Sequence, residues 1–193
     1  AMLRYLGVAV HDADAAVHRL LGRDGAAVAK VAAAFPGTAG PAGIDRAALG
    51  RRVFGDAAAL RRLEGILHPM VRAETARFLR RMAARRTRLV VLDIPLLFES
   101  GGEGRCDAIA VVSAPAFLQR ARVLARPGMS EARFAAILAQ QMPDGEKRRR
   151  ADFVVSTGLG RRPTLRRLAE IVRVATRRSA IRKRRHARDR ARY

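Results

Sequence analysis

The sequence predicts an open α/β fold, on three observations. Four short apolar runs read as buried strands: VAV (8–10), LVVL (89–92), AIAVV (108–112) and FVV (153–155), each bounded by charge or by Gly and Pro. Long Ala/Leu/Arg segments with helical spacing lie between them. Continuous apolar strands alternating with helices argue for a parallel sheet covered on both faces. With 49% apolar residues, the 193-residue chain can bury a core, and its length suits one domain with inserted lobes.

Taken in order, residues 1–6 read as the last turn of a helix, stopped by Gly7. The first strand then runs into HDAD (11–14). About 80 residues separate the first two strands, more than a single crossover helix needs. They hold FPGTAGPAG (35–43), rich in turn formers, and IDRAALGRRVFG (44–55). A hairpin-like helical stretch follows, capped by Asp56, with Pro69 expected to bend or restart the helix after His68. This reads as a helical lobe inserted into the sheet domain. A second insertion, 117–150, follows the third strand. Ser130 and Arg133 make half a capping box there, after a break at Pro127-Gly128. No internal repeat is present.

The net charge of +22 invites a nucleic-acid reading, which its distribution weakens. Residues 177–193 carry nine Arg or Lys against one Asp, leaving +14 for the other 176 residues, mostly Arg among Ala on helix faces. An Arg/Ala excess is also what a GC-rich genome writes. The tail reads as a solvated, frayed extension with non-specific affinity for polyanions. Cys106 is the single cysteine, which excludes an intramolecular disulfide framework and fits a reducing cytosol. No apolar run approaches the roughly 20 residues that span a bilayer, and no basic segment followed by an apolar one marks a secretory signal.

In open α/β sheets, ligands bind beyond the carboxyl ends of the strands. Asp12 and Asp14 stand at the first such end, where paired carboxylates can take a proton from a hydroxyl or help hold hydrated Mg²⁺. The alternative is an Asx-type turn with Asp14 capping a helix that starts near Ala15. LVVLD, ending in Asp93, has the form of a Walker-B strand, although any buried strand can end in Asp. Glu99 is either a catalytic group or a helix-start carboxylate, and reads as the latter. Arg120, Arg122 and Arg126, then Gln141, Lys147 and Arg148, Arg149 and Arg150, make the second insertion basic. It is either a mobile lid over phosphates or a solvated Arg-rich helix. His68 reads as a hydrogen-bonded structural histidine and Cys106 as structural.

Four ordered stretches carry a family resemblance: LGVAVHDADAAVHRLL, IDRAALGRRVFGD with LEGILHPMV, VVLDIPLLFE, and QRARVLARPGMS…QQMPDGEKRRRADFVV. Together they resemble dephospho-CoA kinase. The resemblance implies a three-layer P-loop kinase fold over residues 1–176, with a helical substrate lobe (about 25–87) and a lid (about 117–150), followed by the basic tail (177–193). It implies transfer of the γ-phosphoryl of ATP, with Mg²⁺, to the ribose 3′-hydroxyl of dephospho-CoA in the cytoplasm, the last step of coenzyme A biosynthesis. Asp14 then matches the carboxylate that orients or deprotonates the hydroxyl, Asp12 supports it, and Arg126 matches the lid arginine that reaches the ATP phosphates. Gln141 and Lys147 match recurrent lid positions, and His18 stands where some members carry a basic residue. In the family, a central strand and G-x-x-x-x-G-K-[ST] precede LGVAVHDAD. That motif is absent from these 193 residues, so the sequence is expected to be a fragment lacking its first strand, and inactive as it stands. Another monophosphate kinase of the same fold and a non-catalytic polyanion-binding or nucleic-acid-binding remnant are the alternatives.

Overall fold

The first helix, α1 (Met2–Tyr5), ends at the glycine that the sequence marks. Gly7 has φ +74°, and its N–H donates to the Arg4 carbonyl at 3.0 Å, while the Val8 N–H donates to the Leu3 carbonyl at 3.0 Å. A left-handed residue at this position costs glycine nothing and a residue with a Cβ about 1–2 kcal/mol. The computed structural model describes residues 1–190, with side chains described through Arg177, so the predicted basic tail lies, beyond Arg177, outside the described side chains. Two units make up the chain, Ala9–Ile94 and Ala1–Val8 with the chain from Pro95.

In the unit Ala9–Ile94, β1 (Ala9–Asp12) leads directly into α2 (Ala13–Leu21) and α3 (Val28–Ala34). The two-residue strands β2 (Ala39–Gly40) and β3 (Gly43–Ile44) form the turn-rich hairpin, and α4 (Arg46–Val53), α5 (Ala57–Ala84) and β4 (Val90–Asp93) follow. At Gly43, with φ +103°, a Cβ would overlap the Gly22 carbonyl, where the hairpin bridges back to α2. The core is built from residues 20–67, with Leu20, Val31, Phe35, Leu49, Leu63 and Leu67 at its centre. Each buried aliphatic side chain contributes roughly 1.5–3 kcal/mol.

The predicted break at Pro69 is not there. α5 runs unbroken for 28 residues with Pro69 inside it. Proline removes the hydrogen bond to the Gly65 carbonyl and costs about 3 kcal/mol in a helix interior. Leu63, Leu67 and Phe78, all buried on α5, outweigh that loss on both sides of the proline. Asp56 caps the helix as predicted, accepting from the N–H groups of Ala58 and Ala59 at 2.9 Å. His68 is exposed on α5 rather than held in the interior.

The other unit holds a 3-10 turn at Glu103–Arg105, then β5 (Ala110–Ser113), α6 (Ala116–Leu124), α7 (Glu131–Ala139), α8 (Asp144–Arg150), β6 (Phe153–Ser156) and α9 (Arg161–Arg190). α1 and β6 pack against α9. Ser130 caps α7, accepting the Arg133 N–H at 3.2 Å. None of α6, α7 or α8 contains a buried residue.

Both main ladders are parallel, as the alternation predicts. β1 pairs with β4 from Ala9↔Val90 to Asp12↔Asp93, and β5 with β6 from Ala110↔Phe153 to Ser113↔Ser156. The single predicted sheet is present as two separate two-stranded ladders. Each strand also runs one or two residues past its apolar run, because the ladder continues onto the polar residue that ends it.

Candidate active site

The β1–β4 ladder delivers two carboxylates side by side, since Asp12 and Asp93 are register partners on strands that lie about 4.8 Å apart. Asp12 is also the N-cap of α2. Its backbone is extended (φ −108°, ψ 112°) and its Oδ1 accepts the Ala15 N–H at 2.9 Å. The alternative reading of Asp14 as the cap is therefore corrected: the helix starts at Ala13, not near Ala15, because β1 reaches Asp12 before the chain turns. Asp14 is left in the first turn, exposed, where the helix N-terminus favours negative charge.

Behind this turn lies a polar contact with no sign in the residue pattern. His11, only 6% exposed, places Nε2 3.0 Å from the Thr75 hydroxyl, and its ring lies 5.3 Å from that of Phe78. Thr75 donates its own proton to the Val71 carbonyl at 2.9 Å, so its oxygen accepts from His11 Nε2–H. Burial, aided by Arg19, pushes the His11 pKa below its ordinary value and favours the neutral ring. One residue before Thr75, Glu74 pairs with Arg19 of α2 at 2.6 Å. Arg46 contacts the imidazole of His18, which is exposed.

Arg126 belongs to the other unit. It follows the last turn of α6, is exposed, and among the described residues its guanidinium forms no ion pair. The rest of the basic insertion is more committed than a free lid would be. Glu99 is not a helix-start residue; it pairs with Lys147 at 2.7 Å and accepts the Met142 N–H at 3.0 Å. Burial opposes its charge, yet Lys147 and the backbone donors together hold its pKa below the ordinary value. Ser113 donates to Asp144 at 2.8 Å, and Arg150 pairs with Glu103 while lying 4.9 Å over the Phe98 ring. These contacts fasten α8. By contrast, α6 and α7 are tied by the exposed Arg120–Glu131 pair and by Arg122, which donates to the Thr157 hydroxyl and carbonyl at 3.1 and 3.0 Å. Gln141 is half-buried, its N–H on the Leu138 carbonyl.

Asp12 and Asp14 are thus brought together at one turn, and Lys147 is bound to Glu99. The sequence flagged both partners of that pair without connecting them, since they lie 48 positions apart. Among the described residues, no group of three or more His, Cys, Asp or Glu is placed to hold a metal alone. No helix among the described residues is long and apolar enough to cross a membrane. Cys106 is half-buried, and burial raises its thiol pKa, which suits an inert structural role.

The family model described as dephospho-CoA kinase matches residues 1–159. A dephospho-CoA kinase of Paramagnetospirillum magneticum is 68% identical over 148 residues, covering 77% of this chain and 70% of the relative. One from Rhodospirillum rubrum is 60% identical over 183 residues, covering 94% and 86%. Among solved structures, TT1252 from Thermus thermophilus aligns with a TM-score of 0.76 at 37% identity, over 90% of this chain and 87% of that one. A Campylobacter jejuni dephospho-CoA kinase aligns at 0.60 and 22% identity over 90% and 88%, a likeness of fold.

Proposed function

The chain belongs to the dephospho-CoA kinase family, and from that premise we propose that its chemistry centres on Asp14, Asp12 and Arg126. The reaction is transfer of the γ-phosphoryl of ATP to the ribose 3′-hydroxyl of dephospho-CoA. The observation that carries the site assignment is the division of labour at the β1–α2 turn. Asp12 is occupied by the helix cap, while Asp14 is exposed two residues on. Asp14 orients the hydroxyl and accepts its proton, a role that contributes roughly 10²–10⁴-fold in general-base catalysis. Asp12 holds the first turn of α2, and Arg126 meets phosphate charge as it develops.

The lid reading divides the insertion. α6 and α7, without buried residues, close over substrate, and α8, held by Glu99 and by Ser113, is the base they move on. Mg²⁺ keeps most of its water and needs only one or two carboxylates beside the phosphates, so Asp12 and Asp93 fit it as a pair. When bound with ATP, it offsets phosphate charge. A single half-buried cysteine supports a reducing, cytoplasmic setting.

The 193 residues contain no G-x-x-x-x-G-K-[ST], whose backbone N–H groups, Lys and hydroxyl carry much of phosphoryl transfer. Binding of substrate and turnover are therefore expected to separate. Calorimetric titration of the full chain should give tighter binding of dephospho-CoA than of AMP or CMP; equal affinities would favour another monophosphate kinase. ADP release should stay at background, and release that depends on dephospho-CoA would overturn the expected inactivity. Were such release seen, Asp14→Asn should abolish it.

A further inference from the structure

Helix α5 is read above as part of a substrate lobe, yet two adjacent residues on it grip the two elements that carry the carboxylates. Thr75 bonds His11, the last residue of β1 before Asp12, and Glu74 bonds Arg19, in the last turn of α2 beyond Asp14. A strand end and a helix meeting at a tight turn have one soft degree of freedom, rotation of the helix about that turn. A contact before the turn and another after it, both to one rigid rod, remove it. We propose that Thr75 and Glu74 are positioning residues that fix the β1–α2 turn and thereby the direction of the Asp14 carboxylate. The proposal rests on the reading of Asp14 as the group that faces the substrate hydroxyl.

The contacts differ in kind, which suits the two jobs. The His11–Thr75 bond is interior: His11 is 6% exposed, Phe78 flanks its ring, and Thr75 is held in turn by the Val71 carbonyl. Its donor and acceptor are both fixed, so the bond sets where β1 stops. The Arg19–Glu74 pair has an exposed arginine and a largely covered glutamate, 59% and 19% exposed, and Arg77 approaches the same carboxylate at 3.9 Å. A flexible cation on a fixed anion tethers α2 while allowing it small excursions. Catalytic groups need to be held within about 0.5 Å of the productive position by neighbours that are themselves locked.

Amide exchange in the full chain reads the turn directly, because the Ala15 N–H is held by Asp12. Thr75→Val keeps the shape and removes the hydroxyl. It should speed Ala15 exchange about tenfold while leaving Leu63, in the core part of α5, within about twofold, and Thr75→Ser should restore the slow rate. The His11 ¹⁵N resonances should lose the pure Nε2–H signature in Thr75→Val and regain it in Thr75→Ser. Glu74→Gln, a milder change should Thr75→Val fail to fold, should speed Ala15 about threefold. Equal acceleration at Ala15 and Leu63, or none at Ala15, overturns the proposal, since the bonds would then serve only overall stability. The role of Asp14 fails separately: it is lost if dephospho-CoA binding measured by calorimetry is identical in Asp14→Lys and the parent chain, whatever the exchange rates show.

Discussion

The two parallel ladders are built alike and end differently. Both pair four residues with four, but β1–β4 closes on Asp12 opposite Asp93, and β5–β6 on Ser113 opposite Ser156. The serine end satisfies itself: Ser113 donates to Asp144, and its carbonyl accepts the Thr157 N–H at 2.8 Å. The aspartate end sets two carboxylates on neighbouring strands, and one of them, Asp12, caps the helix that follows. The wider surroundings repeat the contrast. The carboxylates are backed by an aromatic ring, a buried imidazole and a helix of 28 residues, whereas the serine end anchors helices that bury nothing.

Substitutions at four positions and one titration probe that contrast. Phe78→Ala should have the largest effect, about 3–5 kcal/mol by urea unfolding, because a nearly buried ring leaves a cavity against His11. A loss below 1 kcal/mol would mean that the backing of the aspartate end is not structural. Lys147→Met should cost about 2 kcal/mol, since it strands Glu99, whose side chain is 17% exposed. NMR titration should then find the Glu99 pKa raised relative to the parent. Asp12→Ala should lose about 1 kcal/mol with the cap, while Asp12→Asn, which can still cap, should be near neutral. Were Asn as damaging as Ala, charge rather than capping would be what the position supplies. Ser113→Ala, leaving Asp144 without its donor, should cost about 1 kcal/mol.

The titration concerns His11, whose pKa is lowered in the folded state from the ordinary 6.5. Above that value the ring is neutral in both states and contributes no pH dependence. Below it the unfolded chain takes up a proton that the folded chain refuses, so stability should fall as pH drops from 6.5 through the lower folded value, then level off. His11→Gln should flatten that slope, and an unchanged slope would assign it to other groups. Glu99 behaves analogously at lower pH: its pair stabilises above the ordinary 4.5 and is lost as pH falls through its lowered folded value.

Much of this was readable from the residues because it is local. The Gly7 stop, the caps at Asp56 and Ser130 and the four strands each depend on a few neighbouring side chains. What escaped depended on distance along the chain. Pro69 looked like a break because a proline is judged by its own turn, whereas Leu63, Leu67 and Phe78 hold the helix together across it. His11 looked like no more than the residue between a strand and its acidic turn, since Thr75 lies 64 residues away. Glu99 and Lys147 were noticed singly, and only the fold joins them. The alternative reading of Asp14 as a cap was two residues out, since Asp12 holds the helix and Asp14 faces solvent.

The register of β1 with β4 has a consequence in time. Ala9 leaves the ribosome 81 residues before Val90, its partner, whereas Ala110 precedes Phe153 by 43. At roughly 5–20 residues per second, the first strand waits about 4–16 s for the second. The edge that β4 later covers stays open until then, when backbone groups on it are exposed to chance partners. The core cluster, whose buried members run from Leu20 to Leu67, includes no residue of β4, so it can gather while β1 waits. The helices between the strands thus act as a timer and a shelter for the strand that ends in Asp12.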